Sequence, residues 1–245
     1  MAKKEIKSVS IDDVLRRKRK IRFLAFLGLL IILLLGLFYI VVRTEVLKVT
    51  GVVVAGNRVI ETDLIKQQVT VKYIFNSVPL NNLPVAIKNV KVSRNFFKRT
   101  INVLVIEREQ YGQWCNADFD CFWFDKEGIL FTEAPRASGS LVRVVISPYI
   151  IEKGDTILPD RFLGNFLSIL NILDELNLSV TKIEIEDLSR QEMTVYASSY
   201  NIPIMFSLRD NPEFTYEALE KLKTDFNRLS YIDLRSSNRA FYKYK

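Results

Sequence analysis

At 245 residues, 49% hydrophobic and 26% charged, the chain has the composition of a folded protein, and nine Gly with seven Pro exclude a collagen-like or low-complexity polymer. Histidine is absent, which excludes a Ser-His-Asp or Cys-His nucleophile, a His-ligated zinc and a His-held haem. The net charge of +7 is concentrated at the start: residues 1–22 hold nine Lys or Arg against Glu5, Asp12 and Asp13, and the rest is close to neutral, without the basic footprint of a nucleic-acid-binding domain.

Phe23 to Val42 reads FLAFLGLLIILLLGLFYIVV, twenty residues without a charge. A helix of that length spans a hydrocarbon core of roughly 30 Å. The stretch exceeds a signal-peptide core, and Tyr39-Ile-Val-Val-Arg-Thr-Glu45 offers no small-x-small cleavage site, so it reads as an uncleaved anchor. Positive charge immediately before the span predicts a cytoplasmic N-terminus in the cell's cytoplasmic membrane. Residues 1–22 are then a cytoplasmic tail, with a short helix or no fixed structure at Ile11 to Lys20; 23–42 are the transmembrane helix; residues 43–245 lie outside.

The exterior part divides near residue 110, giving domains at 43–110 and 111–245. In the first, Lys48 to Ala55 is a β-branched run ending at the turn signal Gly56-Asn57. Thr62 is placed to cap a helix carrying Leu64, Ile65 and Val69, and a second helical piece is expected around Leu80 to Asn89, with Pro84 in its first turn. Val90 to Arg94 and Thr100 to Arg108 read as strands joined by Asn95 to Arg99. The order β-α-α-β-β builds a small three-stranded sheet covered by two helices.

Cys115 and Cys121 flank the turn-forming Asn-Ala-Asp-Phe-Asp, so a hairpin brings them opposite each other; a disulfide is expected, with two half-buried thiols as the alternative. Two thiols without histidine fall short of a metal's ligand set, and neither a metal nor a cofactor is expected. Downstream, Asp125-Lys-Glu-Gly128 reads as a turn between Phe122 to Phe124 and Ile129 to Thr132. Strand-like runs follow at Leu141 to Ile146, Val180 to Glu186, Met193 to Ala197 and Ile202 to Leu208. Asp160 is expected to cap a helix with Leu163, Phe166, Leu167, Leu170 and Leu173 on one stripe, and Asn211-Pro212 to open another with Leu219, Leu222, Phe226 and Leu229. The fold class is α+β: one N-terminal transmembrane helix, a small β-α-α-β-β domain, then a mostly antiparallel β domain with two helices.

The run VVVAGNRVIETDLI followed by NVKVSRNFFKRTINVLVIERE resembles the POTRA domain of the FtsQ/DivIB bacterial cell-division proteins, which opens on V-x-G-N and closes on a strand ending E-R. Phe97 stands where the family has proline. Gln113-Trp114, then Phe122 to Phe131, is similar to the family's A-x-W and D-x-x-G-x-x-F, and Tyr231-Ile-Asp-Leu-Arg235 to its Y-(I/V)-D-L-R. With the anchor, the resemblance covers nearly the whole chain. It implies a non-catalytic scaffold at the division septum that receives FtsB/DivIC-like and FtsL-like partners on the strand after D-L-R.

Catalytic readings are weaker. Ser179-Val-Thr-Lys182 matches the S-x-x-K of penicillin-binding enzymes, but neither S-D-N nor K-T-G accompanies it. Glu184, Glu186 and Asp187 could supply a glycosidase acid and base, although alternation puts Glu184 and Glu186 on one sheet face beside Lys182, as a solvated surface does. A polypeptide-handling POTRA accessory or a membrane-anchored wall enzyme is the alternative function.

The expected docking surface is a terminal strand from Ser236 to Tyr244, with Ser236, Asn238, Ala240, Tyr242 and Tyr244 on one face and Ser237, Arg239, Phe241 and Lys243 on the other. An edge strand offers free N–H and C=O groups to an added strand. Arg235, Ser236, Asn238, Ala240, Phe241, Tyr242 and Tyr244 are the candidate partner-binding residues; Arg239, Lys243 and Lys245 also suit an edge kept from aggregating. Arg94, Phe96 and Arg99 are candidates for contact with other division proteins.

Overall fold

The computed structural model describes residues 11–245 except 44–46, 81, 118–119, 138–141 and 198–201. It is a mixed α+β protein. The N-terminal helix α1 runs unbroken over Ile11–Arg43, so the basic segment before the apolar stretch belongs to the same helix. Within it Lys18–Ile40 is long and apolar enough to cross a membrane, and no part of it is buried within the protein. The expected tail at residues 1–10 lies outside the described residues.

The chain divides into two compact units. The first takes the chain up to Ala55 with Glu61–Asn82 and Lys91–Leu104; the second takes Gly56–Ile60, Leu83–Val90 and Val105–Lys245. β1 (Gly51–Ala55), β2 (Ile87–Asn95) and β3 (Thr100–Glu107) form a sheet in the order β1-β3-β2, with β1 parallel to β3 and Gly51 opposite Thr100. Helix α2 (Thr62–Gln68) starts one residue earlier than expected: Glu61 is its N-cap, and Thr62 is the first helical residue. Ile65, Val69, Ile74, Ile101 and Val103 are buried in this unit.

The helix expected around Leu80 to Asn89 does not form among the described residues. Pro79 and Pro84 bracket the segment, and proline has no N–H to donate and a fixed φ. Pro84 O instead accepts the Ile87 N–H in a turn, and β2 begins at Ile87.

In the second unit, nine strands make one sheet in the order β12-β11-β10-β9-β8-β7-β4-β5-β6. These are β4 (Gly112–Cys115), β5 (Cys121–Phe124), β6 (Leu130–Ala134), β7 (Val144–Ile146), β8 (Val180–Glu184), β9 (Glu192–Ala197), β10 (Pro203–Ser207), β11 (Leu229–Ser236) and β12 (Arg239–Tyr244). Most pairs are antiparallel; β4/β7, β7/β8 and β10/β11 are parallel. A parallel pair needs a crossover, and the last two are joined through the helices α3 (Asp160–Glu175) and α4 (Glu213–Leu222). Both helices pack on one face of the sheet: Phe162, Phe166, Ile169, Leu170 and Leu173 of α3 and Leu219 of α4 share a core with Trp114, Phe124, Val145, Ile183 and Ile204. Pro159 occupies the N-cap of α3, so Asp160 is its first residue and not its cap.

The turn before β6 is built by Asp125, whose Oδ1 accepts the N–H groups of Glu127 at 2.9 Å and Ile129 at 3.0 Å. Gly128 sits there at φ 75°, and a Cβ in its place would meet Leu163 Cδ1 at 2.5 Å. Both conditions call for glycine. Cys115 and Cys121, opposite each other on β4 and β5, are joined in a disulfide.

Candidate partner-docking edge

The core face of the large sheet is organised by cross-strand rows. Register places Trp114, Val145, Ile183, Val195, Ile204, Ile232 and Tyr242 side by side on β4, β7, β8, β9, β10, β11 and β12. The six members before Tyr242 are at most 2% exposed; Tyr242 is 45% exposed. Side chains alternate along a strand, so Ala240 and Tyr244 share the face of Tyr242. Ala240 packs against the core, and Tyr244 meets Tyr242 edge-on with ring centroids 5.7 Å apart. Phe241 and Lys243, exposed, lie on the opposite face.

β12 is outermost in the sheet. The register shifts fall in β11, where Leu229/Tyr231 and Asp233/Ser236 take more residues than the facing stretches of β12, so β12 keeps a regular alternation. The Lys245 N–H donates to Arg228 O at 2.8 Å and Lys243 O accepts from Ser230 Oγ at 3.0 Å, which turns Lys243 and Lys245 towards β11. In an antiparallel ladder both main-chain groups of a residue point the same way, so Ala240, Tyr242 and Tyr244 present theirs to the open side.

The expected strand from Ser236 to Tyr244 is shorter in the structure. Ser236 ends β11, Ser237 and Asn238 form the turn, and β12 starts at Arg239, so Ser236 and Asn238 do not continue the face of Tyr242. The turn-prone pair Ser237-Asn238 favours the reversal. Arg235 is committed within the chain: its Nε and Nη2 reach the two Asp233 carboxylate oxygens at 2.9 and 2.6 Å, and its Nη1 reaches Glu192 at 2.8 Å. The Arg235 hydrogen bonds hold the Asp233 carboxyl below its ordinary range, and Asp233 with Glu192 push Arg235 upward.

The other candidates sit in the first unit. Arg94 Nη2 donates to Asn76 O at 3.1 Å, the Phe96 ring lies 5.5 Å from that of Phe75, and Arg99 holds φ 53° in the turn. The spacing of the sequence does not reveal Phe75 as the partner of Phe96. A polar cleft of about 540 Å³, lined among others by Tyr111, Arg143, Asp174 and Ser179, also escapes sequence reasoning. Arg143 stacks 4.4 Å over the Tyr111 ring and bonds Asp174 at 2.5 Å; burial, with Asp174 adding, pushes the Tyr111 hydroxyl up to about 12.

The catalytic patterns acquire partners of a structural kind. Lys182 is ion-paired with Glu184, which also accepts the Tyr196 hydroxyl at 2.8 Å. Burial works to raise the Glu184 pKa, but the bonds from Lys182 and Tyr196 prevail and lower it, the opposite of what a general acid needs. Glu186 is exposed and faces Arg190 at 3.9 Å.

No protein-family model matches the chain, and no curated protein matches it.

Proposed function

We propose that the protein is a non-catalytic, single-pass scaffold of the bacterial division machinery. Its N-terminus lies in the cytoplasm and its folded part outside, at the septum. The first unit is read as a POTRA-type domain, and β12 as the edge that takes a strand from an FtsB/DivIC–FtsL type complex. The observation that carries this reading is the core row that ends half-exposed at Tyr242 on an outermost strand. A strand added there would cover the Tyr242–Tyr244 pair, pair with the main chain of Ala240, Tyr242 and Tyr244, and contribute about 0.5–1.5 kcal/mol per hydrogen bond. Lys243 and Arg239 on the other face suit a partner segment with acidic residues at alternate positions. The motifs of the sequence, from Gly56-Asn57 to Asp233-Leu-Arg235, support the family resemblance.

The test is capture of the small coiled-coil partners by the full-length protein. Tyr242→Lys, or Ala240→Pro, which removes an outward N–H and no bond to β11, abolishes capture while the far-ultraviolet circular dichroism is unchanged. Retained capture overturns the edge reading. A fluorescent fusion concentrates in a midcell ring; uniform membrane fluorescence, or muropeptide turnover by the purified protein, overturns the division-scaffold reading.

A further inference from the structure

The first unit carries three exposed phenylalanines at one tip: Phe97 is fully exposed, Phe75 59% and Phe96 53%. Phe75 and Phe96 are in ring contact, and Arg94 ties their two segments together through Asn76 O. Both segments are bonded to the first residues after α1. Val49 donates to Lys72 O at 3.1 Å and Ile74 to Leu47 O at 3.0 Å; Thr50 donates through its N–H to Arg99 O at 2.9 Å and through Oγ1 to Lys98 O at 2.9 Å. Helix α1 ends at Arg43, so Leu47 lies at most about 14 Å, and Thr50 about 25 Å, from the helix end by chain length alone. A tip so tethered cannot leave the neighbourhood of the bilayer that α1 crosses.

Its charge fits that surface. Between Asp63 and Glu107 the sequence has no acidic residue but carries Lys66, Lys72, Lys88, Lys91, Arg94, Lys98 and Arg99. Lys98 is exposed beside Phe97, and Lys72 is exposed on the segment that bears Phe75. Aromatic rings flanked by cations partition into the headgroup region, the rings entering the acyl boundary and the cations meeting acidic lipid.

We infer that the Phe75–Phe96–Phe97 tip docks on the membrane surface and binds acidic lipid headgroups through Lys72 and Lys98. This rests on the reading of α1 as a membrane anchor, and it assigns the tip to lipid where a protein partner is the alternative occupant.

The test uses the full-length protein in vesicles of phosphatidylglycerol and phosphatidylcholine carrying brominated acyl chains, which quench tryptophan on contact. Phe97→Trp adds a reporter that keeps an aromatic ring at the tip, above the background of Trp114 and Trp123. Leu30→Trp reports on α1, and Glu220→Trp, on an exposed position of α4, is the aqueous control. The expected result is several-fold stronger quenching at position 97 than at 220, reduced by Lys72→Gln with Lys98→Gln and reduced in vesicles of phosphatidylcholine alone. Strong quenching at 30 with none at 97 overturns the inference and leaves the anchor standing, as does a tip shielded only when other membrane proteins are added. Absence of quenching at 30 overturns the anchor itself. Equal quenching at 97 in neutral vesicles overturns the assignment to acidic lipid.

Discussion

Ile232 on β11 and Tyr242 on β12 face each other across one strand pair, but the first is wholly buried and the second 45% exposed. Ile232→Ala is therefore expected to lower unfolding stability by about 2–5 kcal/mol, whereas Tyr242→Ala costs about 1 kcal/mol or less. Denaturant titration of the two variants measures the difference. Equal losses would mean that Tyr242 belongs to the core and not to its margin.

Arg108 and Asp125 form a largely buried ion pair, Nη1 to Oδ2 at 2.5 Å, with the side chains 15% and 4% exposed. Asp125 also holds its turn through two N–H groups, so removing the cation leaves a buried charge in place. Arg108→Ala is expected to cost about 3–5 kcal/mol, and the double variant with Asp125→Ala less than the sum of the single ones. Additive losses in thermal unfolding would show that the two groups do not interact.

Glu107 and Asp233 are among the carboxylates that limit stability in acid. Burial works to raise Glu107, but the N–H groups of Ile60, Arg58 and Val59, bonded to it at 2.9–3.2 Å, prevail and lower its pKa; Arg235 lowers that of Asp233. A group with a depressed folded-state pKa contributes stability that is present above its unfolded value and lost as pH falls through the folded one. Melting temperature should therefore fall below about pH 4, and Glu107→Gln and Asp233→Asn should each flatten that fall while lowering stability at neutral pH. An unchanged acid slope in both variants would contradict the assignment.

The Cys115–Cys121 bridge closes a short loop, with a sequence separation of six. Chain entropy gives it about 2 kcal/mol of stabilisation, so the Cys115→Ala, Cys121→Ala double variant should melt several degrees lower. Adding reductant to the wild type should reproduce the shift, and adding it to the double variant should change nothing.

The sequence announces elements whose cause is local. Twenty uncharged residues made α1 readable, and period-two alternation located most strands. The Asp125-to-Gly128 turn was readable because both its carboxylate and its glycine act within five residues. Elements with distant causes were hidden. The turn at Leu83 to Ala86 depends on bonds such as Arg108 N–H to Ala86 O, 22 residues away, which no helical pattern reports. The row from Trp114 to Tyr242 joins seven strands, skips β5 and β6 and pairs in parallel at three of its six steps, so its open end cannot be read from alternation in β12 alone. Ser236 and Asn238 lie off the single extended strand that alternation predicts, because a tight reversal flanked by strand formers leaves little trace besides the Ser237-Asn238 pair. Phe97 did leave a trace, as a departure from the motif that the sequence resembles, and among the described residues it is the most exposed large apolar side chain of the first unit.

The unbroken course of α1 has a mechanical consequence. Its 33 residues make a rod of roughly 50 Å, nearly 20 Å longer than the hydrocarbon core of a bilayer. The surplus stands as a stiff lever and not a slack thread, so whatever grips it on one side turns or tilts the whole shaft. Removing a single residue from the shaft would rotate everything beyond it by about 100° about its own axis, leaving its chemistry intact and its heading wrong.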